Sequence, residues 1–209
     1  MIESKKIPVW MPYLMTGFLG LPFDGYRIHH NNHHQYNNGL GDYSSTWAWS
    51  AEGRRPYGLW SYVFLWPLML HKARLDIAER VRKGAISAKL AHRVASQKLA
   101  LIVMLALLFV TNPIYVGMYF VMVYLGWALV SLHNYGQHPP IPDLDGQGVT
   151  VAGRVYNYLL ANNGLHWEHH KAPSLSWHEL QRDPRSPKIR SSHLIEPFLN
   201  RKTTVNAQR

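Results

Sequence analysis

The sequence predicts an all-α integral membrane protein, a helical bundle with a histidine-rich cap on its cytoplasmic side. Three observations predict it. Residues 99–132 form a run of 34 without a charge, longer than one straight helix needs for a hydrocarbon core about 30 Å thick. Residues 71–98 carry Lys72, Arg74, Arg80, Arg82, Lys83, Lys89, Arg93 and Lys98 against only Asp76 and Glu79, and the positive-inside rule places such a run in the cytoplasm. The pattern H-x-x-H-H occurs twice, at His30, His33 and His34 and at His166, His169 and His170.

With 209 residues the chain makes a single domain, 1–209, long enough for a sizeable core. It has no cysteine, which excludes disulfides, thiolate metal sites and cysteine nucleophiles. Its formal charge of +10 favours anionic headgroups or an acidic partner. No nucleic-acid motif accompanies that charge, so no nucleic-acid partner is expected. No cleavable leader pattern opens the chain, so a removable secretory signal is not expected either.

In chain order, residues 7–23 are uncharged but hold three prolines and two glycines, which suits the tail of a membrane helix or a re-entrant piece. Asp24 and Arg27 mark the exit into water or a polar site, just before the first histidine box at 29–34. Residues 37–50 are turn-rich and then aromatic, a loop at the site or at headgroup level. Asp42 in it serves the turn or orients a ligand imidazole, and its position after Gly41 favours the turn. Residues 57–70 are uncharged but too short for a comfortable span, so an interfacial helix rich in Trp and Tyr is expected there.

Asn112-Pro113 sits near the middle of the long apolar run and reads as a turn. The membrane hairpin is therefore expected over about 97–132, with helices of about 97–111 and 114–132. A single tilted helix kinked at Pro113 is the rival. A hairpin returns the chain to the side it left, so both boxes and His138 can meet on one face. Residues 141–153 form a Pro, Gly and Asp loop, 155–161 lead helically into the second box at 166–170, and a polar tail spans about 181–209.

On a helix, histidines at i, i+3 and i+4 share a face and reach one ion. Imidazole suits iron, zinc, copper and nickel, so the spacing signals a transition metal without choosing one. Two copies point to two metals. His138 is a further ligand candidate, with His133 and His29 as reserves. A zinc hydrolase would need a water-activating carboxylate, and Glu168 points away from the face set by 166, 169 and 170. A metal transporter would want polar residues along the spans, which offer almost none.

With these pieces placed, the chain resembles the membrane fatty acid desaturase and hydroxylase family, which includes carotenoid ketolases. The matching stretches are Y-R-I-H-H-N-N-H-H-Q-Y-N-N at 26–38, H-N-Y-G-Q-H at 133–138 and N-N-G-L-H-W-E-H-H-K-A-P-S-L-S-W-H-E-L at 162–180. The resemblance implies two iron ions in a non-heme centre held by His30, His33, His34, His138, His166, His169 and His170. It implies a water-mediated contact from Asn162 or Asn163 and a place for Glu168 behind the ligands. It also implies O2, a lipid acyl substrate and an electron donor of ferredoxin, rubredoxin or cytochrome b5 type. Members carry an earlier box, H-x-x-x-H or H-x-x-x-x-H, yet the first 28 residues hold no histidine, so the chain reads as an amino-terminally shortened member or as a divergent one that has lost part of its metal shell. The expected activity is O2-dependent acyl desaturation. Hydroxylation or ketolation by the same oxidant, and an inactive shortened homologue, are the alternatives.

Overall fold

The computed structural model describes residues 7–198 apart from 143, 145 and 190; the 199–209 part of the expected tail lies outside the described residues. The fold is mostly helical: α1 (Met11–Leu19), α2 (Phe23–Tyr36), α3 (Leu59–Phe64), α4 (Trp66–Arg82), α5 (Ala88–Thr111), α6 (Pro113–Gln137), α7 (Arg154–Leu159) and α8 (His166–Lys171). Four short strands accompany them: β1 (Trp47–Ser50) and β2 (Gly53–Pro56) as an antiparallel hairpin, β3 (Thr150–Val151) and β4 (Lys188–Ile189) as a parallel pair. The described residues form two compact units, one from 7–32 and 67–128, the other from 33–66 and 129–198, with divisions inside the continuous helices α2, α4 and α6.

In the first unit, α5 and α6 are long and apolar enough to cross a membrane. At 24 residues α5 extends about 36 Å. Both begin or end beyond the expected limits. Ser87 caps α5 by accepting from Leu90 N at 3.3 Å, so the helix starts nine residues before Gln97 and carries Lys89 and Arg93 in its first turns. Pro139 is the first strong breaker after Leu132, and α6 accordingly continues through His133 to Gln137. Asn112 alone separates the two helices. It is extended (φ −165°, ψ 118°), its N–H donates to Leu108 O, and its Oδ1 accepts from Ile114 N at 3.0 Å. One side chain thus caps the start of α6 while its own backbone closes α5, and Pro113 supplies the preset φ of a first helical position.

The helices fold back on one another at that residue. Gly17 lies against Met104 and also accepts the Tyr119 hydroxyl at 2.8 Å, and these two residues stand eight before and seven after Asn112. Leu99, Leu107, Val110, Met118, Met122 and Leu125 remain exposed along the pair. A charge-free surface of this kind is solvated by lipid rather than water.

α1 is too short to cross a bilayer and turns back inside the unit. Tyr13 bonds Ser96, Gly17 meets Met104, and Asp24 has returned to Gln97. The terminal carbonyls of α1 would lack partners in lipid; Tyr119 donates to Gly17 O and the Trp127 indole donates to Leu19 O at 2.7 Å. Of the two expectations for Asp24, an exit into water or into a polar site, the polar site is the one observed: it is fully buried, accepting from Arg27, Arg93 and Gln97. That network ties the start of α2 to α5.

In the second unit, residues 37–46 form the expected turn, with Asn37 and Asn38 both at positive φ. The hairpin of β1 and β2 that follows is an addition to the all-α expectation. The expected single interfacial helix over 57–70 is divided into α3 and α4 around Leu65. Tyr62, buried on α3, donates to Ser44 O at 2.6 Å and accepts from Asn134, while Tyr135 donates to Tyr57 O at 2.7 Å. Val149, Val151 and Ile189 form a small apolar cluster with Leu144 and Tyr156.

Gly20 closes α1 with φ +70°, and a Cβ there would meet Val123 at 2.6 Å. Gly20→Ala is expected to destabilise the protein by about 1–3 kcal/mol. Gly117→Ala, in open space on α6, is expected to be neutral or stabilising by up to about 1 kcal/mol. Thermal unfolding in detergent compares the two; equal midpoints would discount the tight turn.

Candidate metal centre

The histidine boxes sit on helices because their residues are polar but free of breakers, and each helix is held at a terminus. Asn37, at φ +45°, ends α2 with its N–H on His33 O. α8 is fixed through Glu168, whose Oε2 accepts the Thr150 hydroxyl at 2.6 Å and whose Oε1 accepts Asp183 N at 3.1 Å. Helical spacing then projects His166, His169 and His170 together.

His33, His138, His166 and His170 form one buried group, with donor nitrogens all within 4.8 Å of one another. Nε2 of His138 lies 3.0 Å from Nε2 of His33 and 2.7 Å from Nε2 of His166. The tautomers follow from the outer partners. His33 Nδ1–H donates to Asp42 Oδ2 at 2.8 Å, His138 Nδ1–H donates to the Gly146 carbonyl at 2.9 Å, and His170 Nδ1–H donates to Asn37 Oδ1 at 2.7 Å. In the neutral rings this leaves Nε2 of His33 and of His138 facing each other as two bare lone pairs, with no proton between them. Nε2 of His170 and Nδ1 of His166 are buried with no hydrogen-bond partner among the described residues. Such an arrangement is repulsive by itself and satisfied by a cation. Outward N–H groups on a carboxylate, a carbonyl and an amide are how metal-binding imidazoles are oriented.

A second group lies alongside. His34 and His169 stack edge to face with ring centroids 4.6 Å apart and hold donor nitrogens within 4.8 Å of each other. α2 places His30 one turn before His34 on the same face. Trp177 stacks on His169 at 4.1 Å and covers it.

Burial holds His138 and His166 well below the ordinary imidazole value, reinforced by His33 for the former and by His170 and His138 for the latter. His170 is pushed far down by burial, with His138 and His33 adding to it, and His169 is pushed down to about 4, again chiefly by burial. Neutral imidazole is the ligand form, so these rings are ready to bind a metal without first losing a proton.

Other expected residues are committed elsewhere. Glu168 faces Thr150 and Asp183 as above. Asn162, at φ +64°, donates its amide to Trp177 O at 2.9 Å, and Asn163 Oδ1 accepts from Gln137 at 3.2 Å. The amide that touches a box histidine is Asn37, from the other box. Asp42 does both things the sequence offered it: it orients His33 and also accepts Asn38 N and Ser44 N in its turn. Among the described residues, His29 and His133 belong to neither donor group; His29 stacks on Tyr26, and His133 meets Tyr156 and His193. His193 and Tyr156 went unnoticed in the sequence, where a lone histidine in a polar tail and a lone tyrosine carry no spacing signal.

His138, His166, His169 and His170, and with them His193, which burial pushes down to about 3, titrate lower when folded than the ordinary value of 6.5 in an unfolded chain. The unfolded chain then binds more protons, so stability of the metal-free protein should be level near pH 7–8 and fall as pH drops from about 6.5 towards 4. Unfolding midpoints in detergent across that range test this; a midpoint unchanged from pH 7.5 to 5 would contradict the burial described.

The family model described as fatty acid desaturase matches residues 3–185. No curated protein and no solved structure matches the chain.

Proposed function

The chain belongs to the fatty acid desaturase family, and we propose that it is an O2-dependent lipid desaturase that introduces a double bond into an acyl chain. Membership of the family makes it an oxidoreductase of membrane type, and its histidine clusters are compatible with a di-iron centre. The observation that supports a metal there is the facing pair of bare Nε2 lone pairs on His33 and His138, with His170 Nε2 beside them and without a partner among the described residues.

His33, His138, His166 and His170 would hold one iron, and His30, His34 and His169 would serve the other. Bound there, the two irons supply the one-electron redox chemistry with O2 that an unactivated methylene demands, since it offers no acidic proton to a general base. The protein's own residues keep that chemistry in order. Asp42, Gly146 O and Asn37 hold protons on the outer nitrogens of His33, His138 and His170, so that each inner nitrogen stays available. Burial of these rings keeps water from competing for the site. Trp177 shields His169 on its open side. The apolar flanks of α5 and α6 are suited to a substrate that arrives from the bilayer. The basic residues of α4, Lys72, Arg74, Arg80 and Arg82, support a cytoplasmic side for the boxes, where a ferredoxin, rubredoxin or cytochrome b5-type donor would deliver electrons.

The test is product analysis by mass spectrometry with the iron-reconstituted protein, lipid substrate, a reducing system and labelled O2. Loss of two hydrogens with no label in the lipid is expected; an alcohol or ketone carrying label would replace desaturation by oxygenation. His138→Ala should lose bound iron and all turnover. Asp42→Asn should weaken iron binding about 10–100-fold while keeping the fold, and metal titration followed by elemental analysis reads both; undiminished iron in His138→Ala would remove it from the ligand set.

A further inference from the structure

Beside the metal centre, three polar side chains the proposed chemistry does not use close on one another. Tyr156 on α7 has its hydroxyl 3.0 Å from His133 Nε2 and 3.3 Å from His193 Nδ1, and these two nitrogens are 3.3 Å apart. His193 is fully buried, and its Nε2–H donates to Val149 O at 3.1 Å. That bond fixes its tautomer: Nδ1 has a lone pair and only accepts. The set is then satisfied in one way, with His133 Nε2–H donating to the phenol oxygen and the phenol O–H donating to His193 Nδ1. Burying His193 fully, with a half-buried imidazole and phenol held against it, is costly where apolar side chains would pack more cheaply. The ring of His193 also stands between the phenol and the centre, 5.8 Å from the Tyr156 ring and 6.2 Å from that of His166.

We propose that Tyr156 is a one-electron reserve for the metal centre, with His193 as the base that takes its proton. The proposal rests on the reading of the histidine groups as an O2-reducing iron centre. When O2 has been reduced there and no C–H bond is in place, Tyr156 gives one electron by way of His193 and His166 to the oxidised centre. Its phenolic proton passes to His193 Nδ1. The products are a neutral phenoxyl radical, still accepting from His133 Nε2–H, and a His193 imidazolium. One electron from the external donor and return of the same proton restore the phenol. The base is what makes the step feasible, because a phenol that loses an electron without losing its proton becomes an extremely strong acid. Tyr156 touches no substrate; its part is to spare the ligand histidines when reducing equivalents and O2 arrive without lipid.

The experiment uses the full chain, iron-loaded and reduced, mixed with O2 without lipid and freeze-quenched for electron paramagnetic resonance. A tyrosyl radical is expected, narrowed when the protein is made with ring-deuterated tyrosine. It should be lost in Tyr156→Phe and in His193→Gln, each with its iron content and unfolding midpoint measured. His193→Gln leaves the phenol in place, so it carries the test if Tyr156→Phe fails to fold. An iron-loaded wild type with no radical, or an undiminished radical in either folded variant, overturns the proposal while leaving the metal reading intact. Failure to bind iron at all overturns both.

Discussion

The geometry of the buried group depends on one constraint: for His33, His138 and His170 to face inward with bare nitrogens, their other nitrogens must be protonated and held from behind. A histidine on a helix does not do this unaided, since its ring can rotate and either nitrogen can carry the proton. Here the acceptors come from a turn carboxylate, a backbone carbonyl and a carboxamide, at Asp42, Gly146 and Asn37. None of the three lies on a helix: Asn37 and Asp42 belong to the loop after α2, and Gly146 to the loop after His138. The loop around 37–46 is therefore part of the site, and its two asparagines at positive φ are the backbone cost of bringing it there.

The same logic explains how so many polar rings survive burial. Neutral imidazoles are far cheaper to bury than charged ones, and the crowding of like groups reinforces neutrality. Burial, tautomer and coordination thus favour one protonation state. Elsewhere in the second unit polar groups are satisfied just as locally: Glu168 by Thr150 and Asp183, Tyr62 by Ser44 and Asn134.

Much of this was legible in the sequence, for reasons of period and chemistry. H-x-x-H-H at helical spacing announces a ligand face, and an Asn-Pro in the middle of an uncharged run announces a reversal of direction. The limits of α5 and α6 were less legible, because absence of charge marks the apolar core of a span and not where its hydrogen bonding begins. Ser87 and Pro139 mark that better than Gln97 and Leu132. Asp42 was weighed toward its turn because a single carboxylate pattern fits both uses, and only proximity reveals that it serves both. The Gly146 carbonyl could not have been found, since every residue has one. Glu168 points away from the ligand face, as its place on the helix implies, and is held by Thr150 and Asp183; the side chains of Asn162 and Asn163, for which the family resemblance implied a water-mediated contact, meet Trp177 O and Gln137.

Asn112 has one more consequence. With a single residue joining two helices that together lack charge along most of their length, the hairpin has no hydrophilic segment for the insertion machinery to drag through the bilayer. α5 and α6 can enter as one unit from the side on which both their outer ends remain. Lengthening that junction with charged residues would impose a translocation step that the natural chain avoids.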